Sequence, residues 1–254
     1  LEDIFKTQRD ALNEKWDNLK LFIEYGMLSD EKFCERALKF VLLKNTDGKY
    51  FSLDEYKTAV EPMQTDKDKK LVWLYATDTE KQYTFIEAAK NKGYDVLHLD
   101  CELDAHFVNL LEQKLKDTRF ARVDSDAIDR LIPNEAHKAP ETKEDERYDL
   151  ENLFKAVLPQ GNDYYVTGDK LGSEAAPILI TQNEFMRRYR DMSALGGGMN
   201  FYGEMPPSYN ITVNLDNPLV AKILADEAAK VAPQVELPAE APADASEEDK
   251  KAAR

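Results

Sequence analysis

Histidine, cysteine and glycine are scarce in this chain, with three, two and ten residues among 254. The three histidines form no closely spaced ligand pair, and neither Cys34 nor Cys101 has a neighbouring cysteine. No glycine-rich phosphate-binding motif follows a predicted strand, and the Gly196–Gly198 run lacks the lysine and hydroxyl that would complete one. We therefore predict no metal site, no bound cofactor and no catalytic residues, in a reducing, cytoplasmic setting.

Basic residues are also in deficit, since 34 Lys and Arg face 49 Asp and Glu, for a formal net charge of −15. Phosphate backbones are bound by clustered Lys and Arg, so we expect no nucleic-acid partner. Signal peptides and apolar runs long enough to cross a bilayer are absent, so we expect no membrane partner. Leu1 opens inside a helical pattern, which indicates a fragment of a longer protein.

The first part of the chain repeats apolar residues at helical spacing, which predicts a helical coil over residues 1–61. Gly26 is the expected stop of the first long helix, and Ser29 the expected cap of the next. Ser52 and Glu55 have the spacing of a capping box. The inward stripe of the first helix is predicted to be Ile4, Phe5, Leu12, Trp16, Leu19, Phe22 and Ile23.

From residue 62 the pattern changes to strands alternating with helices. Leu71–Ala76 is a continuous apolar run, as in a strand covered on both faces, and Val96–Leu99 reads as its parallel neighbour. A further helix precedes an edge strand at Phe120–Val123. These features predict a small three-layer α/β/α subdomain over residues 62–132.

Residues 133–148 are charged and proline-containing, which is typical of a linker. A separate mixed α+β domain is predicted over residues 149–231, so the fold class is α/β in the broad sense (α+β). Residues 232–254 are an acidic Ala/Pro tail that we expect to be disordered. The second domain's strands are predicted at Tyr164–Thr167, Pro177–Thr181 and Tyr209–Asn214, with a last helix from Pro218.

The stretch 181–214 contains a short amphipathic helix followed by glycines. Thr181 and Glu184 have capping-box spacing. This helix allows two interpretations: an ordinary core element, or a soft Met-rich surface that adapts to many partners. Its apolar residues are Phe185, Met186, Tyr189 and Met192, with Arg187, Arg188, Arg190 and Asp191 on the other side.

Three weaker chemical patterns have plain structural explanations. Asp124, Asp126 and Asp129 resemble the start of a calcium loop but lack its glycine and its final glutamate, so we predict a solvated turn. Negative charge at Glu102 and Asp104 suits the first turn of a helix. His98 is predicted to be structural.

Several segments in order resemble heat-shock protein 90 chaperones of the bacterial HtpG type: IEYGMLSDEKFCERA (23–37), FSLDEY (51–56), LYATDTEKQY (74–83), KGYDVLHLD (92–100) and FYGEMPPSYNITVN (201–214). The resemblance implies that residues 1–132 are the distal middle domain and residues 149–231 a truncated C-terminal domain. It also implies that the ATP site, with its Mg²⁺, lies in a missing N-terminal domain. The fragment would then be no enzyme, although its parent would be an ATPase chaperone.

The same resemblance implies that unfolded or partly folded client proteins are the partners. In the middle domain it points to Asn109, and to His106, which stands where the bacterial pattern can carry tryptophan. In the second domain it points to Met186 and to Tyr189, which replaces an aliphatic residue. Helical spacing and the following loop extend this set to Met192, Leu195, Met199 and Phe201.

The resemblance also implies a parent homodimer whose main interface is truncated here, so we expect a monomer or weak association. Two alternatives remain open. One is a small α/β enzyme with a ligand near Thr77 and Asp100, at the carboxyl ends of its strands. The other is a scaffold without client contact.

Overall fold

The computed structural model describes residues 1–132, 153–154, 157–159, 163–195 and 208–231. Within these residues helices and strands are mixed, which confirms the predicted fold class. The predicted linker 133–148, the tail 232–254, and Met199 and Phe201 lie outside the described residues. Among the described helices, none has the length and apolarity needed to cross a bilayer.

The chain opens with three helices and a short antiparallel hairpin that leads into a fourth helix. The predicted capping box is confirmed, because the Ser52 side chain accepts the Glu55 N–H and the Glu55 carboxylate accepts the Ser52 N–H. The elements are α1 Glu2–Thr7, α2 Arg9–Ser29, α3 Glu31–Ala37, β1 Leu42–Lys44, β2 Tyr50–Ser52 and α4 Leu53–Val60.

Two predictions about α2 are wrong. The helix continues through Gly26 to Ser29, and Asp30 rather than Ser29 caps α3, with its carboxylate accepting the Phe33 N–H. Gly26 is instead needed for close packing, since a Cβ there would lie 2.8 Å from Cε1 of Phe33. The predicted inward stripe of the first helix is also wrong at Ile4 and Phe22, which are both exposed.

The next unit is a three-stranded parallel sheet of order β4-β3-β5. Its central strand is fully buried, as the continuous apolar run predicts. One face packs on a core shared with α2, α4 and α6, and the other packs on α5 and α7. The elements are β3 Leu71–Ala76, α5 Tyr83–Asn91, β4 Val96–His98, α6 Asp104–Lys114, β5 Thr118–Arg122 and α7 Ile128–Leu131.

The last described unit is a mixed sheet of order β6-β8-β7, in which β8 runs parallel to β6 and antiparallel to β7. Its small core joins Val166, Ile211 and Val213 of the sheet to Val220 of the final helix. The elements are β6 Asp163–Asp169, β7 Ile178–Thr181, α8 Glu184–Leu195, β8 Ser208–Asn214 and α9 Pro218–Val231.

Candidate functional site

Helix α8 begins with a different cap from the one the sequence predicts. The Asn183 side chain accepts the N–H groups of Phe185 (3.0 Å) and Met186 (3.3 Å). Thr181 is the buried last residue of β7, and Glu184 is the first residue of the helix. The predicted Thr181–Glu184 capping box is therefore wrong, because the Glu184 carboxylate has partners on the neighbouring sheet.

Those partners lie on the free edge of β5 and on the central strand β3. Glu184 Oε2 accepts the Arg122 N–H at 3.0 Å, and its Oε1 accepts the Tyr75 hydroxyl at 2.7 Å. One turn later, Arg188 Nη2 donates to the Phe120 carbonyl at 2.9 Å. The two side chains, spaced i and i+4 on α8, thus satisfy backbone groups that an edge strand leaves unpaired.

Arg188 is the centre of this docking contact. It forms ion pairs with Glu112 on α6 (2.7 Å) and with Glu184 on its own helix (2.6 Å), and its side chain is only 13% exposed. Burial alone would lower the pKa of Arg188, but the carboxylates of Glu112 and Glu184 outweigh burial and raise it. The guanidinium therefore stays charged across the whole physiological range.

A second ionic contact lies beside the first. Arg187 Nη1 is 2.8 Å from Asp124 Oδ2, and Arg122 Nε is 2.8 Å from the other oxygen of Asp124. The predicted solvated turn is wrong at this residue, because the Asp124 carboxylate is largely buried between two guanidinium groups. Burial lowers the pKa of Arg187, and Asp124 opposes that shift.

Docking through charged residues leaves the apolar side of α8 facing away from the subdomain. Phe185 is 74% exposed and Tyr189 is 44% exposed, while Met186 is half-buried. Amphipathic helices normally turn the apolar side inward. Here Phe185 and Tyr189 face solvent, although Met192 contacts α6, so the interpretation of the whole stripe as ordinary core is not supported.

Predicted contact residues on α6 and α8 bond to one another beside the exposed apolar residues of α8. Asn109 Nδ2 donates to Met192 Sδ at 3.1 Å, and Asn109 Oδ1 accepts from Arg188 Nη1 at 3.1 Å. His106 is half-buried one turn before Asn109. We name this the α6–α8 surface and define it by His106, Asn109, Phe185, Met186, Tyr189 and Met192.

Other residues of the prediction cannot be placed on this surface. Leu195 ends α8, but its side chain is outside the described part, as are Met199 and Phe201 entirely. Conversely, sequence reasoning missed Glu112 and Arg122 as the docking partners of α8. Both residues lie far from α8 in the sequence, so no local pattern identifies them. The only signal in the sequence is the i, i+4 spacing of Glu184 and Arg188, which places two opposite charges on one face of the helix.

The groups proposed for an alternative enzyme site are engaged within the chain. The N–H groups of Thr77 and Asp78 both donate to Gln82 Oε1, at 2.8 and 2.9 Å. Asp100 is paired with Lys20, and His98 Nε2 lies 4.0 Å from the same carboxylate. At the carboxyl ends of β3 and β4, these polar groups are therefore bonded within the chain, to Gln82 and Lys20.

Comparison with known families now gives the class of the protein. A helical start, a three-layer α/β/α unit and an α+β unit follow one another, and the model of the Hsp90 protein family matches residues 1–233. The chain belongs to the Hsp90 family.

Two relatives within that family show how much of a curated protein's length the chain covers. The chain is 52% identical over 237 residues to the chaperone protein HtpG of Porphyromonas gingivalis strain ATCC 33277, covering 92% of this chain and 35% of the relative. It is 46% identical over 244 residues to the chaperone protein htpG of Bacteroides fragilis strain YCH46, covering 93% and 36%. The chain thus spans about a third of the length of the curated relatives it matches.

Among solved structures, the chain is similar to the middle domain of a heat shock protein of Plasmodium falciparum. The TM-score is 0.39 at 17% sequence identity, covering 49% of this chain and 52% of that one.

Proposed function

We propose that this chain is the client-binding and structural segment of an ATP-dependent molecular chaperone that assists protein folding. One observation carries the proposal: α8 docks through Glu184, Arg187 and Arg188, and so presents Phe185 and Tyr189 to solvent. Similarity to chaperone proteins named HtpG supports the same assignment.

The proposed mechanism is the reversible burial of apolar client surface on the α6–α8 surface. Covering an exposed phenylalanine or tyrosine contributes roughly 1.5–3 kcal/mol when it is complete. The methionines at 186 and 192 add flexible, polarisable contacts that suit clients of different shape. Because ion pairs hold α8 in place, the surface exists before the client arrives, and little ordering cost is added on binding.

The remaining parts of the proposal concern the longer protein. We place the ATP and Mg²⁺ sites in an N-terminal region of the parent, so that this chain is not itself an enzyme. We further propose a cytoplasmic setting, with neither nucleic acid nor membrane as partner.

The oligomeric state is a separate part of the proposal. The parent acts as a homodimer, and this chain alone is a monomer or associates weakly. Light scattering on a gel-filtration peak tests that last point, and a tight dimer at micromolar concentration would contradict it.

Methyl NMR of methionine tests the client-binding proposal on the intact chain. A partly unfolded model protein is titrated into a sample labelled at the methionine methyl groups. Selective shifts at Met186 and Met192 are expected. Met63, which is 52% exposed at the end of α4, serves as the control and should not shift.

Two results would overturn the proposal. Unchanged methyl signals at Met186 and Met192 would leave only the scaffold interpretation. Equal shifts at Met63 would show that the model protein binds exposed methionines without preference.

A further inference from the structure

Three potential metal ligands converge where α2 meets the start of α6. One donor atom each from Glu24, Cys101 and Asp104 lies within 4.8 Å of the other two. Glu24 is 4% exposed and Asp104 6%, whereas Cys101 is partly open to solvent. Asp104 Oδ2 accepts the Cys101 N–H at 2.6 Å, which orients that carboxylate beside the thiol.

The cluster is incompletely satisfied by the protein itself. Oε2 of Glu24 is buried and has no hydrogen-bond partner. The nearest cation on α2, Lys20, is already paired with Asp100. Burial raises the pKa of all three groups, to about 7 for Glu24, about 8 for Asp104 and about 12 for Cys101, where the Glu24 carboxylate adds to the shift, so metal binding requires the release of protons. Among the described residues no group bonds to this buried oxygen, which faces a second carboxyl and a thiol, and an ion or water bonds to such groups in other proteins.

We propose that Glu24, Cys101 and Asp104 bind a divalent cation of borderline softness, of which Zn²⁺ is the representative. A thiolate with two carboxylate oxygens is a ligand set that Zn²⁺ accepts, whereas Mg²⁺ and Ca²⁺ prefer oxygen alone. Tetrahedral bonds of about 2.0–2.3 Å place ligand atoms roughly 3.5 Å apart, so the side chains need to close by only about 1 Å.

The fourth position would be taken by water from the open side of Cys101. Binding exchanges protons for metal: the thiol and any protonated carboxyl release their protons to solvent as the metal bonds form. The S–H and O–H bonds that break are replaced by bonds to the metal, and no oxidant or reductant is required. The ion would join the C-terminal part of α2 to the first turn of α6, the helix that carries His106 and Asn109.

This inference differs from the prediction of no metal site, which considered only ligands close together in sequence. Glu24 lies on α2, whereas Asp104 begins α6 and Cys101 lies just before it, so spacing alone does not reveal the cluster. Glu102, the acidic residue nearest to Asp104 in the sequence, is exposed, and Glu24 is the buried carboxylate beside Asp104. The proposal is independent of client binding.

Cobalt substitution tests the site on the whole chain. Co²⁺ is titrated into the reduced protein without thiol reagents, and the thiolate-to-cobalt charge-transfer absorption is followed, then reversed with Zn²⁺. One equivalent is expected to saturate the signal. Cys101→Ala should abolish it, while Cys34→Ala, which removes the other cysteine, should leave it intact. Glu24→Gln keeps the size and polarity of the side chain and should weaken Co²⁺ binding at least about tenfold.

Each variant is first checked for an unchanged circular dichroism spectrum. The proposal is overturned if the unmodified chain gives no charge-transfer signal with excess Co²⁺, or if the signal survives in Cys101→Ala. Equal affinity for Co²⁺ in Glu24→Gln would show that Glu24 is not a ligand and that the ion does not join α2 to α6.

Discussion

Replacing Arg188 with methionine should loosen α8 from the edge of β5 by about 2–3 kcal/mol. The substitution keeps an unbranched apolar stem but removes the guanidinium group, and with it the ion pairs with Glu112 and Glu184 and the hydrogen bond to the Phe120 carbonyl. Breaking one partner of a fully buried ion pair costs about 3–5 kcal/mol, because the other charge stays buried and unpaired. Glu112 and Glu184 are each about a quarter exposed, so water partly solvates their charges once Arg188 is removed. We therefore expect about 2–3 kcal/mol rather than the cost of a fully buried pair.

Amide hydrogen exchange at Arg122 reports this docking directly, since its N–H donates to Glu184. A loss of about 2–3 kcal/mol corresponds to roughly 30- to 150-fold faster exchange of that amide if it opens by undocking. Arg190→Met is the matched control, because Arg190 is exposed on the same helix and, within the described part of the chain, bonds to Gln182 alone, at 3.3 Å. Its effect should stay below about twofold. Equal exchange rates in Arg188→Met and Arg190→Met would refute the role given to Arg188.

Three further predictions concern the stability of particular elements. Gly26→Ala should lower the free energy of unfolding by about 1–2 kcal/mol in urea titrations, although alanine normally favours a helix, because its Cβ would meet the Phe33 ring; a more stable variant would contradict this. Ser52→Ala should cost about 1 kcal/mol through loss of the confirmed capping box, and an unchanged urea midpoint would contradict it. Raising the salt concentration from about 0.05 to 0.5 M should speed exchange of the Arg122 amide but not of amides within β3, since screening weakens ion pairs; salt-independent exchange at Arg122 would contradict it.

Local patterns in the sequence were reliable where the local interactions decide the structure. The apolar run Leu71–Ala76 is a fully buried strand because parallel strands are covered on both faces. The Ser52–Glu55 pair forms a capping box because each side chain reaches the other residue's backbone N–H, and the ion pair of Glu55 with Arg9 leaves that geometry intact.

The same pattern failed at Thr181 and Glu184, where tertiary partners compete. Glu184 instead bonds to Tyr75 and Arg122, and Asn183 supplies the cap. The prediction that Gly26 ends the helix is wrong for a related reason, since the space beside Gly26 is filled by Phe33 from the next helix. Neither competitor is visible in a short stretch of sequence.

Helical periodicity also identified the two sides of α8 but not which side packs. That choice depends on Glu112, Phe120 and Asp124, which lie far from α8 in the sequence and form an acidic, partly unpaired edge. The charged side of α8 satisfies that edge, and the apolar side is left outside. Met186 and Tyr189 are proposed client contacts because of the family resemblance, whereas the exposure of Phe185 and Tyr189 is seen only in the structure.

The central claim is that the outward apolar side of α8 binds clients, and a matched pair of substitutions tests it most directly. Phe185 and Phe22 are both 74% exposed, but only Phe185 belongs to the α6–α8 surface. The affinity for a partly unfolded model protein is measured for Phe185→Ser and Phe22→Ser beside the unmodified chain. We predict about tenfold weaker binding for Phe185→Ser, from roughly three quarters of the burial energy of a phenylalanine, and an unchanged affinity for Phe22→Ser. Equal affinities for the two variants would contradict the claim.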